Sequence, residues 1–158
     1  MQALIRGFTF LVASTAFAAC GGPPSGPSPA GPLVLTAQAS KTSLARGETA
    51  TITFTLQNVS KASVHIDSPD ACVLLPFVFD RRAGKEIDDY GGGAIACAQV
   101  VTSFDLAPGA SRTLEVTVRA GEGAGPYIPL APGEYWVYSK LHDAKYTLQS
   151  TPITIVVS

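Results

Sequence analysis

Few side chains in this sequence could carry chemistry. Among 158 residues there are three cysteines (Cys20, Cys72, Cys97), two histidines (His65, His142) and twelve acidic residues. Nucleophilic catalysis needs a serine or cysteine in reach of a histidine that a carboxylate orients. His65 stands two residues before Asp67, and His142 is followed by Asp143. No Gly-x-Ser-x-Gly elbow occurs, and His65 with Asp67 reads as a surface pair. Zinc sites announce themselves by close ligand spacing, Cys-x-x-Cys or His-x-x-x-His. Neither is present, so no metal ligand is assigned. The acidic residues Asp67, Asp70, Glu86, Asp88 and Asp89 offer the hard oxygens calcium prefers. They lack the EF-hand spacing and read as solvated loop charges. No two of them are placed by spacing as a glycosidase pair. Gly91-Gly92-Gly93 precedes neither a helix nor a lysine, so it is not a phosphate loop. No cofactor is implied, and the chain is expected not to be an enzyme.

Cys20 follows a different logic. One cation, Arg6, precedes an apolar run from Phe8 to Ala19, and Phe17-Ala18-Ala19-Cys20 closes it. Charged start, apolar middle and small residues at the end form an export signal. The run is about a dozen residues, short of the ~20 needed to span a bilayer. With cysteine at the first mature position, the segment resembles the lipobox of bacterial lipoproteins. That resemblance implies cleavage after Ala19, a diacylglyceryl group on the Cys20 thiol and acylation of its freed amine. The chain is therefore expected outside the cytoplasm, lipid-anchored to the bacterial cell envelope. If Cys20 carries lipid, Cys72 and Cys97 remain as an even pair in an oxidising compartment, where a disulfide persists. A bridge closing such a loop contributes roughly 3 kcal/mol through the unfolded state.

Eleven basic residues against twelve acidic ones leave a formal net charge of −1. Nucleic-acid binding needs clustered Lys and Arg, and none is seen. Residues 21–32, GGPPSGPSPAGP, form a Pro/Gly/Ser tether that cannot bury apolar surface. The expected organisation is a signal at 1–19, lipidated cysteine and tether at 20–32, and one domain at 33–158.

In that domain the periodicity is two. Ala50, Ile52, Phe54 and Leu56 alternate with Thr51, Thr53, Thr55 and Gln57, the pattern of a half-buried strand. Residues 113–118 and 153–157 repeat it. Further strands are expected near 33–39, 62–66, 75–80, 98–105 and 134–141. Three turns share one build: Leu44-Ala45-Arg46-Gly47-Glu48, Leu106-Ala107-Pro108-Gly109-Ala110 and Leu130-Ala131-Pro132-Gly133-Glu134. Proline followed by glycine predicts type II turns in the second and third. No window carries a capped helical stripe. Seven to eight short strands without helices predict an all-β antiparallel β-sandwich, and parallel pairing is not expected without crossover helices. Tyr135, Trp136 and Tyr138 are expected to pack in the core and on a sheet face.

Four stretches resemble the BsuPI-type intracellular proteinase inhibitor domain, a bacterial immunoglobulin-like module. They are Leu35 to Asn58-Val59-Ser60, Phe77-Val78-Phe79-Asp80 with Ala83-Gly84-Lys85-Glu86-Ile87, Phe104 to Gly109, and Pro132-Gly133-Glu134-Tyr135-Trp136-Val137. The export signal and the Cys72/Cys97 pair depart from that family. The resemblance implies an immunoglobulin-like antiparallel β-sandwich of about seven to eight strands, and proteinase inhibition as a function, with a protease as partner.

The reading that follows is a lipid-anchored, non-enzymatic binding module. Its partners are a membrane, through the N-terminal lipid, and a protein. Proteinase inhibition is the alternative, and a calcium- or carbohydrate-binding sandwich the third reading. The loop Asp88-Asp89-Tyr90-Gly91-Gly92-Gly93, tethered near Cys97, is the candidate partner contact, since binding residues favour loops on rigid scaffolds.

Overall fold

A computed structural model describes residues 31–87, 97–123 and 125–158. The signal segment, Cys20 and the loop Asp88 to Gly93 lie outside the described residues. Eleven strands form among those described: β1 (Leu33–Ala39), β2 (Ser43–Leu44), β3 (Thr49–Asn58), β4 (Val64–Ser68), β5 (Leu74–Asp80), β6 (Lys85–Glu86), β7 (Thr102–Leu106), β8 (Ser111–Ala120), β9 (Ile128–Leu130), β10 (Gly133–Leu141) and β11 (Ile153–Val157). One sheet has the order β1-β3-β8-β9, the other β2-β11-β10-β5-β6, and β4 pairs with β7 separately. The molecule is an immunoglobulin-like β-sandwich, with its first stretch split between the two sheets.

The alternation read in β3 is borne out. Ala50, Ile52, Phe54 and Leu56 are buried while the intervening residues reach the surface. Their inward face meets Val78 of β5, Val137 of β10 and Ile155 of β11 in one core cluster. A pleated strand sends successive side chains to opposite faces, so period two in sequence becomes inside and outside in the sandwich. Burying a side chain of this size contributes roughly 1.5–3 kcal/mol.

The expected strands all form, with shifted ends. Residues 98–101 do not join β7. Ala71 N–H donates to Ala98 O at 3.0 Å and Val100 N–H donates to Ala98 O at 2.8 Å, which draws this backbone toward the 71–72 loop. The three additional strands, β2, β6 and β9, have only two or three residues each. Two of them correct the expectation of purely antiparallel pairing: β2 runs parallel to β11, and β9 parallel to β8. The rule that parallel neighbours need a long crossover is met differently here. β2 and β11 come from opposite ends of the domain. Between β8 and β9 the chain doubles back through Gly121 (φ 114°) and Gly123 (φ 132°), conformations glycine tolerates.

The turns divide. Glu48 N–H donates to Ala45 O at 2.9 Å and Ala110 N–H donates to Ala107 O at 3.0 Å. Gly47 (φ 85°) and Gly109 (φ 74°) take the left-handed position of type II turns. The third turn is not type II, because Gly133 is the first residue of β10, opposite Val157, and its φ is not positive. Tyr135 closes this corner instead, its hydroxyl donating to Ala131 O at 2.8 Å. This is the tyrosine corner of immunoglobulin-like sandwiches.

Candidate functional site

The expected disulfide forms. Cys72 and Cys97 are bonded across 25 positions, with Cα atoms 5.4 Å apart. Cys72 lies in the link between β4 and β5, and Cys97 precedes β7. Their surroundings are polar. Asp70, almost buried, accepts the Cys72 N–H at 2.8 Å through Oδ1. Its Oδ2 lies 3.4 Å from Nδ1 of His142; that nitrogen is buried and makes no hydrogen bond, although the ring as a whole is partly exposed. His142 follows the end of β10 and is held by its own N–H, which donates to Val73 O at 2.9 Å.

Beside it, Asp143 ties β4 to the segment after β10. Its carboxylate accepts N–H bonds from Asp67 at 2.6 Å, Lys145 at 2.7 Å and Tyr146 at 2.8 Å. Burial pushes this carboxyl up, but the three amides outweigh it and hold the group below the usual aspartate range. Asp67, Ser68, Pro69, Val101, His142, Asp143 and Ala144 line a shallow hollow of about 360 Å³.

His65 does not pair with Asp67. Its Nδ1 lies 2.8 Å from Asp105 Oδ1, because β4 and β7 place His65 opposite Asp105 and Asp67 opposite Ser103. The Ser103 hydroxyl donates to Asp67. The hydrogen bond to Asp105 raises the His65 pKa, with Asp67 and Asp143 adding to it. Asp67 belongs to β4, not to a loop, and Glu86 to β6. Among the described residues, Asp70, Cys72 and Cys97 are the group of three potential metal ligands whose ligand atoms lie within 4.8 Å of one another.

The aromatic residues separate by strand parity. Tyr135 points inward and is buried, and burial pushes its phenol up. Trp136 and Tyr138 sit on the outer face of the five-stranded sheet, as sheet-face packing requires. There β10 pairs with β5, so that Trp136 faces Phe79 and Tyr138 faces Phe77. Both pairs stack, with ring centroids 5.7 and 5.5 Å apart. Arg81 lies 4.7 Å over the Trp136 ring and Lys140 4.2 Å over Phe77. Glu134 pairs with Arg81, and Glu86 accepts the Tyr138 hydroxyl. Trp136 stays 38% exposed and Val156, diagonal to it on β11, 46% exposed, whereas Tyr138 is only 8% exposed, so it is the Trp136 end of this aromatic row that faces solvent. The sequence carried its signal in the matched alternations Phe77-Val78-Phe79 and Trp136-Val137-Tyr138. Only the strand pairing joins them.

No family model matches the chain, and no curated protein does. Among solved structures it is similar to the CARDB domain of PF1109 from Pyrococcus furiosus, at 10% identity and TM-score 0.45 over 80% of this chain and 87% of that one. It is similar to the sporulation control protein Spo0M from Bacillus subtilis, at 17% identity and TM-score 0.42 over 81% and 50%. A third similarity, to a β-glucosidase from Erythrobacter marinus, has 14% identity and TM-score 0.41 over 78% of this chain but only 15% of the enzyme. At these values no activity transfers.

Proposed function

We propose that this protein is a non-enzymatic interaction module, held to the outside of a bacterial membrane by lipid on Cys20 and binding a protein through its sandwich domain. The observation that carries the binding reading is exposed Trp136 with Val156 on the outer face of the five-stranded sheet, backed by Phe79 and flanked by the Phe77–Tyr138 stack. Large aromatic side chains with a polar margin are what protein interfaces concentrate. A carbohydrate platform is less well served. Phe79 stacks on Trp136 and Arg81 lies over it, so the ring surface on which a sugar would lie is already in use. Proteinase inhibition rests on the BsuPI-type resemblance.

Two experiments test the two halves. Cells expressing the full chain are fed an alkyne fatty acid: the protein should label, and Cys20→Ser should abolish labelling. Unchanged labelling would refute the anchor. A photo-crosslinking residue at position 136 should give a discrete adduct on cells, whereas one at Thr51, on the outer face of the other sheet, should not. Equal yields, or none, at both positions would overturn the binding reading. A protease recovered in the adduct would favour inhibition.

A further inference from the structure

Asp70 and Cys72, from one link, meet Cys97 from a second stretch of the chain, and His142 reaches Asp70 from a third. The sequence spacing gives no hint of a shared site. We propose that when the disulfide is opened these four side chains form a tetrahedral site for a zinc-class cation, so that this end of the sandwich alternates between a disulfide and a metal clasp.

Three observations support it. First, the ligand atoms of Asp70, Cys72 and Cys97 already lie within 4.8 Å of one another. Two sulfurs on a tetrahedral zinc stand ~3.8 Å apart at bonds of ~2.3 Å. Separating the two Sγ atoms to that distance needs side-chain rotation and small backbone shifts.

Second, the His142–Asp70 approach is not a hydrogen bond and is an ion pair only when His142 is protonated. Nδ1 and Oδ2 are 3.4 Å apart, and Nδ1 is buried without a partner. Nitrogen and oxygen ligands at ~2.0–2.1 Å on a tetrahedral ion are ~3.3 Å apart. The pair is spaced as two ligands of one ion would be.

Third, the ligands are oriented from behind. The Cys72 N–H holds Asp70 by Oδ1 and leaves Oδ2 toward His142. The His142 backbone N–H is anchored on Val73 O. Such outer contacts fix ligands in metal sites. Two thiolates, one imidazole and one carboxylate suit zinc or cobalt, not calcium or magnesium.

The redox step balances simply. A dithiol reductant supplies two electrons and two protons, yielding two cysteine thiols and its own disulfide. The cation then displaces the two thiol protons to solvent, and sulfur is not oxidised or reduced in that second step.

The test uses the full chain, reduced with a phosphine (which becomes the phosphine oxide, with water supplying oxygen and protons) and titrated with Co²⁺ and then Zn²⁺. The reduced chain should bind one cobalt, with a thiolate charge-transfer band and tetrahedral ligand-field absorption that Zn²⁺ bleaches. The oxidised chain should show neither. His142→Gln and Asp70→Asn should each weaken binding at least ~10-fold, a loss of the size metal-site partners show. Zn²⁺ should also raise the melting temperature of the reduced chain, because a ligand that binds the native state stabilises it. Absence of the cobalt spectrum in the reduced chain would overturn the proposal. So would wild-type affinity in His142→Gln, since the two thiols would then bind metal without the site.

Discussion

Asn58 shows how one residue can settle a junction. It ends β3 on an inward position where the preceding pattern calls for an apolar side chain, and it is fully buried. Its Nδ2 donates to Ala62 O and Leu106 O, both at 2.8 Å, while Oδ1 accepts Ser60 N–H at 2.9 Å and Ser60 O–H at 2.8 Å. All four of its bonding capacities named here are met, so the buried amide is compatible with the core. Asn58→Ala should cost about 2–4 kcal/mol in urea unfolding, since it leaves carbonyls of two segments without their donor. A loss under 0.5 kcal/mol, on the scale of a surface change, would contradict this account. His65 is a residue-scale test of electrostatics. Its hydrogen bond to Asp105 raises its pKa above 6.5. A raised folded-state pKa means the pair's contribution is fully present below the unfolded value and is lost as pH rises through the folded one. An NMR titration should place the His65 midpoint above 6.5, and Asp105→Asn should lower it. The acceptor was not legible in the sequence. Asp67 is close along the chain, but Asp105, 40 positions away, is opposite across the ladder.

At the scale of elements, the two Pro-Gly turns make the clearest contrast. Both have the same local signal, yet Gly109 is left-handed and Gly133 is strand. An added Cβ at Gly109 meets open space, so the cost of Gly109→Ala is conformational, about 1–2 kcal/mol. Gly133→Ala brings a Cβ only into ordinary contact with the Tyr135 hydroxyl at 3.4 Å, and should cost less. Thermal denaturation of the two variants side by side checks the order; equal losses would mean that Gly133 is also conformationally required. Turn chemistry is local, but the tyrosine corner that replaces the third turn needs Tyr135 packed inward and Ala131 positioned by β9 and β10. The same limit explains the strands. Their existence was readable from period two, whereas the brief parallel pairings of β2 and β9 depend on which edges the folded sheets leave open.

For the whole molecule, registers define its two ends. Leu33 of β1 lies opposite Asn58, and β5 begins where β10 ends, with Leu74 opposite Leu141. The end where β1 begins is therefore also the end that carries Cys72, Cys97 and His142. At the other end lie the Ala45–Glu48 turn, the Asp80–Lys85 turn and Ser158. Bridging 25 positions, the disulfide should stabilise the fold by roughly 3 kcal/mol, mainly by restricting the unfolded chain. Reduction in the presence of a chelator should lower the urea midpoint with the folded spectrum retained. An unchanged midpoint would show that the bridge restrains little in the unfolded state.

The sequence by itself determined the all-β class, the inward positions of β3 and the turn at Gly109; it left Cys72 and Cys97 as an expected pair that the structure joins. Each of the first three follows from local rules: side chains alternate along a strand, and glycine tolerates positive φ. Only the tertiary structure decided that His65 meets Asp105, that Trp136 and Tyr138 stack on Phe79 and Phe77, that Gly133 is strand, and that His142 reaches Asp70 beside the disulfide. The physical reason is register. Neighbours across a ladder or between loops are fixed by how whole strands align and pack, and that alignment minimises the free energy of the entire sandwich, which no short stretch of sequence can encode alone.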